Sequence, residues 1–369
     1  MRTAFNGLLI LHGLVHLLGF VKSFGFAKLA QLRQPITRPL GLLWLGAGLL
    51  TLSSAFVPAH AFWQVGALAI VLSSAAICCS WHDAKLGLAA NAIVLLGVVY
   101  SFASAGPLSF AASFRHDVAQ ILPSSGASPL VSEADLAPLP ASVQRYLRLT
   151  GSVGQPRIVS FRAHWTGRMR GSASEPWMPF HAEQVNTVGA LPARLFAMKA
   201  TMKGLPVDVY HRFIGDSASF RVRLLSLFTM VDARGPVMDK SETVTVLNDL
   251  CVLAPAALID SALRWESSSA ASANVVFRRG THTVRATLHF NARGELVDFV
   301  SDDRARAAPD GKTFTRERWS TPLRDYRDFG PRRLGSRAKA LTHAPRGTFA
   351  YGEFALSSID YNGASSAAP

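Results

Sequence analysis

Four runs of apolar residues, 4–21, 40–59, 62–80 and 86–105, dominate the first third of the chain. Each is close to the roughly 20 residues that cross a bilayer core, so the pattern predicts four transmembrane helices. The first run is followed by VKSFGFAKLA, without a small-x-small cleavage site, and by three further spans. It reads as a helix and not as a signal peptide. The connecting loops carry their basic residues unevenly: Lys22, Lys28, Arg33 and Arg38 in the first, none in VPAHA, and Lys85 in the third. The positive-inside rule then places loops one and three in the cytoplasm. Both termini and the large C-terminal domain are expected outside it.

Within the first span, HGLVHLLGF puts His12, His16 and Gly19 on one helix face, and Asp83, Gly87 and Asn91 share a face at the fourth. Small residues let helices approach and polar ones bond across them. His16 lies six residues from Lys22 and Asn91 six from Lys85, so both are expected about 9 Å inside the cytoplasmic boundary, facing each other. Two roles stay open for the histidines. They are interhelical hydrogen-bonding groups, or they serve a proton, quinone or metal, as intramembrane ionisable groups often do. Haem ligation is disfavoured, because ligands on opposite sides of an iron do not come from adjacent turns of one helix.

Beyond residue 106 the pattern changes. Residues 107–131 read as a tether, with the linker composition PSSGASP at 123–129. Pro140 opens a short helix, ASVQRYLRL, which Gly151 can stop. Then come alternating runs: VSFRAHW, LFAMKATMK and HTVRATLHF each separate an apolar face from a polar one. Turn signals divide them at RRGT, NARGE and PDGK. One helical segment, NDLCVLAPAALID (248–260), interrupts the series, with Pro255 breaking it. Roughly ten strands with two short helices describe an α+β domain: a large antiparallel sheet that must curl into a half-open barrel. Its apolar face lines a hydrophobic cavity or an ordinary filled core. The residues expected there are Phe196, Met198, Met202, Leu288, Phe290 and Phe354.

Charge and chemistry change this picture little. The chain has 38 Lys/Arg against 24 Asp/Glu, a net +14, of which only six basic residues and Asp83 fall in 1–106. The basic residues are scattered and not interleaved with stacking aromatics, so no nucleic-acid partner is expected; anionic lipid headgroups fit the charge as well. Three cysteines, Cys78, Cys79 and Cys251, form neither a disulfide framework nor a zinc pattern. No G-x-S-x-G, Walker, G-x-G-x-x-G or H-E-x-x-H motif is present. No catalytic residue, metal site or cofactor is therefore assigned. Glu183 and Glu242 are candidate inward carboxylates, and Asp303–Arg304 in SDDR reads as an ion pair or turn fixture.

HGLVHLLGF, DAKLGLAAN, LPASVQRYLRLTG, WMPFHAEQ, ETVTVLNDLCVLAPAALI, GELVDFVSDDR and YGEFALSSIDYN occur in this order. Together they resemble the bacterial membrane-protein family catalogued as domain of unknown function 6544. The resemblance implies an integral membrane protein of undefined activity. Besides the intramembrane residues, its motifs single out Trp177, Glu183, Gln184 and Glu242, together with Asn248, Asp303, Arg304 and Tyr351, without assigned roles. The curled sheet is also similar to the lipoprotein-carrier (LolA/LolB-like) fold, and the helical region loosely to DoxX-type bundles. The leading expectation is a multi-pass inner-membrane protein whose outer β-domain binds a lipid or other hydrophobic envelope molecule. A membrane-bound hydrolase or redox partner using the histidines, and a structural anchor or protein-interaction module, are the alternatives. Oligomeric state is left open.

Overall fold

The computed structural model describes residues 2–122, 128–189, 192–308, 310–345 and 347–363. The chain divides into two units, Met1–Ser113 and Phe114–Pro369. The first is helical: α1 (Arg2–Ser23), α2 (Arg38–Ser54), α3 (Phe62–Cys79), the short α4 (Trp81–Ala84) and α5 (Gly87–Ala105), with α6 (Phe110–Ile121) running across the boundary. Among the described residues, three stretches are long and apolar enough to cross a membrane: Thr3–Ser23, Phe62–Cys79 and Gly87–Ile121, which holds α5 and α6. The second of the four expected spans, α2, is shorter, with 17 residues, and opens on Arg38–Pro39.

Polarity in this unit is inverted relative to a water-soluble bundle. Leu14, Leu49, Val71 and Leu96 are exposed, while His12, His16, Ser73 and Asn91 are buried. Small residues set the helix spacing: a Cβ at Gly19 would fall 2.2 Å from the Trp44 ring of α2. Glycine there is what lets α1 and α2 meet.

The second unit begins within the stretch expected to be a tether. Part of that stretch is α6; the linker composition at 123–127 lies outside the described residues. α7 (Glu133–Leu136) carries a Ser132–Asp135 capping box. α8 (Ala141–Leu149) forms over the expected residues and ends before Gly151, whose φ of 65° suits a helix stop.

A meander follows: β1 (Ser160–Met169), β2 (Met178–Thr187), β3 (Ala193–Met202), β4 (Leu205–Ile214), β5 (Ser217–Leu224) and β6 (Phe228–Arg234). After α9 (Pro236–Leu253) and a 3-10 turn (Pro255–Ile259) come β7 (Leu263–Ser268), β8 (Ser272–Arg279), β9 (His282–Phe290) and β10 (Leu296–Ser301). β11 (Ala305–Ala307) and β12 (Phe314–Arg316) form a two-stranded side sheet. β13 (Arg318–Ser320), β14 (Leu323–Phe329), β15 (Arg332–Ala344) and β16 (Gly347–Tyr361) complete the chain.

Among the described residues the main sheet has 14 strands in the order β6-β5-β4-β3-β2-β1-β16-β15-β13-β10-β9-β8-β7, with β14 also on β15. The last strand pairs with the first, joining two meanders into one antiparallel surface. Its edges, β6 and β7, do not pair, so the sheet is a half-open barrel. α9 packs against β5 and β6 near one edge and β9 and β10 near the other, so the sheet curls around it. Fourteen of its 18 residues are buried, as a helix enclosed on all sides requires.

Two expectations change here. The helix expected over 248–260 begins twelve residues earlier, at Pro236, and takes in the β-branched run TVTV at 243–246. Burial on every side outweighs the weak helix propensity of threonine and valine. The concavity is occupied by α9, so Phe196, Met198, Leu288 and Phe290 belong to the packed core, with Met202 and Phe354 partly buried against it.

Candidate functional site

In the helical unit a hydrogen-bonded chain links three helices. Asn91 Oδ1 accepts from His12 Nε2 at 2.9 Å and from Ser73 Oγ at 2.9 Å. His16 Nε2 lies 2.8 Å from Ser73 Oγ, and Asn91 Nδ2 donates to Ser74 Oγ at 3.0 Å. The partner of Asn91 is thus His12, one turn from the expected His16. The depth estimate placed Lys22 and Lys85 at one level, whereas a four-residue offset along α1 amounts to about 6 Å. Asp83 is off the α5 face altogether: it sits in α4 and accepts the Gln34 backbone N–H at 2.8 Å.

In the β-domain, the polar residues of α9 meet those of the first meander. Asp249 Oδ2 accepts from Arg194 Nε at 2.7 Å, Gln184 Nε2 at 2.6 Å and Asn186 Nδ2 at 3.1 Å. Seven residues earlier on the same face, Glu242 is fully buried, with Arg194 and Arg304 guanidinium nitrogens each 3.7 Å away. His211 Nε2 is 2.8 Å from Glu242 Oε2.

Burial alone would raise the Glu242 carboxyl; beside the neutral His211 ring, the Arg194 and Arg304 guanidiniums supply the positive charge that opposes it and hold the group below its ordinary range. Burial lowers His211, only partly opposed by Glu242, and keeps the imidazole neutral. At Asp249 burial is the larger effect and leaves the carboxyl above its ordinary range despite Arg194. Two buried carboxylates facing two guanidiniums give a charge-balanced cluster, with only Arg304 partly exposed. Its physical consequence is to pin α9 in one register inside the sheet.

A second site lies where the two halves of the sheet part. β15 pairs with β16 only as far as Arg337↔Ala355. Beyond that point β16 continues along β1 to Phe161↔Tyr361, and β15 continues along β14 to Arg332↔Phe329. The two halves splay, and a cleft of about 650 Å³ opens beside the divergence. Phe354, Leu323 and Ala338 supply apolar lining, and Arg168, Arg324, Arg337 and Lys339 supply charge. Glu353, the acidic lining residue, is shared between Arg168 at 2.8 Å and Lys339 at 3.3 Å. Gly167 is required here: a Cβ would fall 2.2 Å from the Glu353 carbonyl oxygen.

A family model described as a family of unknown function, DUF6544, matches residues 129–354. The chain belongs to the DUF6544 family. The match covers α7 to α9, β1 to β15 and β16 as far as Phe354, which takes in the α9 cluster and all of the cleft lining but Ala355. No curated protein matches the chain. Among solved structures it is similar to an outer membrane lipoprotein-sorting protein domain from Vibrio parahaemolyticus, at 10% identity over 57% of this chain and 87% of that one, TM-score 0.27. It is also similar to a LolA superfamily protein from Nitrosomonas europaea, at 9% identity over 60% and 94%, TM-score 0.27. A beta-barrel-like protein of DUF1849 from Brucella abortus matches at 11% identity over 56% and 98%, TM-score 0.20. The half-open barrel itself is described by the strand order above.

The DUF6544 motif residues fall into three places. Gln184, Glu242, Asn248 and Arg304 belong to the α9 surroundings: Gln184 Oε1 accepts from Trp165 Nε1 at 3.1 Å, and Asn248 donates to Thr321 Oγ1 at 2.6 Å. Arg304 stacks over Trp319, whose Nε1 donates to Tyr351 at 2.8 Å. Trp177 stands beside the cleft, under the guanidinium groups of Arg168 and Arg170. Glu183 is the exception: it lies on the outer face paired with Arg162, because its neighbour Gln184 takes the inward position of β2. Asp303 and Arg304 do not pair with each other. Asp303 holds Lys240 and Arg316, each at 3.0 Å, while Arg304 turns inward to Glu242. Sequence reasoning missed Ser73, Arg194, His211 and Asp249. The inward alternation of Arg194 and the seven-residue spacing of Glu242 and Asp249 were the available signals.

Proposed function

We propose that this protein is a bacterial inner-membrane protein whose β-domain, outside the cytoplasm, binds an amphiphile with an anionic headgroup without transforming it. The observation that supports the reading is the composition of the cleft: four basic side chains and one acidic one around Phe354, Leu323 and Ala338. Apolar lining with a few placed charges suits a molecule with a charged end and a hydrocarbon body. The inverted polarity of the helical unit supports its place in lipid, and the loop charges support the orientation. The His12–Asn91–Ser73–His16 chain supports the role of interhelical bonding groups.

Native mass spectrometry of the full-length protein released from detergent micelles tests the binding. The wild type should retain a lipid adduct, and the combined Arg168→Glu, Arg337→Glu, Lys339→Glu variant should lose it. No adduct, or an adduct that survives the triple reversal, overturns the reading.

A further inference from the structure

The strand registers place several hairpin ends at one end of the sheet. Across it, Gly167 pairs with Phe180, Phe180 with Ala200, Ala200 with Val207, and Val207 with Leu224. From that row, β1 and β2 run on to the 170–177 loop, β3 and β4 to Lys203–Gly204, and β5 and β6 to Leu225–Leu227. β15 and β16 turn at the same end.

Hairpin ends are ordinarily polar. Here Leu205, Leu227, Phe228 and Met230 are 41%, 44%, 60% and 51% exposed. Leu225 and Ser226 hold left-handed φ values of 55° and 59°, in a turn where asparagine and glycine are the usual residues. Basic groups stand at the same end: Lys203 in its own turn, and Arg170 over the rings of both Trp177 and Phe349, 4.4 and 5.2 Å from their centroids.

We propose that this rim of hairpin ends docks on the surface of a bilayer that contains anionic lipid, with Leu227 and Phe228 entering the interface. Exposed apolar tips flanked by aromatic and basic side chains match the interfacial layer, where rings sit among headgroups and cations pair with phosphate. The choice of a bilayer over a protein partner rests on that charge complementarity and on reading the N-terminal helices as spans, which keep a membrane within reach. The rim also bears on the cleft: Arg168 and Pro179 line it in the last rungs before the 170–177 loop. A docked rim brings the cleft mouth close to lipid.

The test uses the full-length protein without Cys78, Cys79 and Cys251, reconstituted into phosphatidylcholine–phosphatidylglycerol vesicles. Nitrobenzoxadiazole is attached at Phe228→Cys, or at Leu227→Cys as a second tip variant. Val237→Cys, equally apolar and 47% exposed at the opposite end of the sheet, is the aqueous reference, and Leu96→Cys reports on the helical unit. The tip labels should emit to the blue of Val237 and lose most of their emission to nitroxide-bearing lipids. Both effects should weaken when phosphatidylglycerol is omitted. Tip labels that behave like Val237 while Leu96 is quenched overturn the rim alone. A dry Leu96 overturns the membrane reading beneath it. A blue shift that follows protein density and resists lipid quenching means a second copy covers the rim, which also overturns the proposal.

Discussion

His211 carries the most informative titration in the β-domain. Burial lowers its pKa in the fold, so between that value and the unfolded value near 6.5 the unfolded chain binds the extra proton. Stability tied to the neutral ring is therefore full above about pH 6.5 and is lost as pH falls below it, by up to about 1.4 kcal/mol per pH unit. The stability gap between wild type and His211→Gln, from denaturant midpoints of the full-length protein, should narrow from pH 7.5 to 5.5. A gap that widens on acidification would mean a protonated His211 paired with Glu242, and would contradict the neutral ring. The residue scale also shows what sequence spacing conveys. Heptad spacing placed His12, His16 and Asn91 on facing sides of helices, but the vertical offset between α1 and α5 depends on α4 and the loop that Asp83 closes. Ser73 was invisible for another reason: an isolated Ser73–Ser74 pair in an apolar helix carries no periodic signal.

At the element scale, α9 decides what the apolar face of the sheet does. Met198 is 3% exposed in the core beneath it, whereas Phe354 borders the cleft. Met198→Arg should cost about 3–5 kcal/mol, because it leaves an unpaired charge in a packed interior, and should abolish cooperative unfolding. Arg337→Glu, on the cleft and half-exposed, should keep the thermal transition and lose lipid. If both variants fold and only binding is lost, the concavity is a ligand cavity and not a core. Strands were legible because alternation survives wherever one face is buried, as in HTVRATLHF, which is β9 residue for residue. The start of α9 was not, because TVTV carries a strand signal and only the enclosing sheet overrides it. Orientation of single carboxylates followed the same limit: Glu242 is inward because α9 is enclosed by the sheet, and Glu183 is outward because strand phase gives the inward position to Gln184.

At the scale of the whole molecule, the two units divide the work that the sequence implies: apolar helices that suit lipid, and a β-domain with a basic cleft. The orientation is tested by fusing a reporter active only outside the cytoplasm after Pro369 and, separately, near Gln34. Activity is expected only from the first; the reverse pattern would place the β-domain in the cytoplasm. The cleft was not legible in the sequence, since it arises where β15 and β16 part company, and no motif marks the end of a ladder. The most direct test of the central claim is photo-crosslinking in intact membranes, with benzoylphenylalanine at Ala338 inside the cleft and at Val237 outside it. The account predicts an adduct of lipid mass at Ala338 and none at Val237. A peptide adduct at Ala338, or lipid captured equally at both positions, would contradict it.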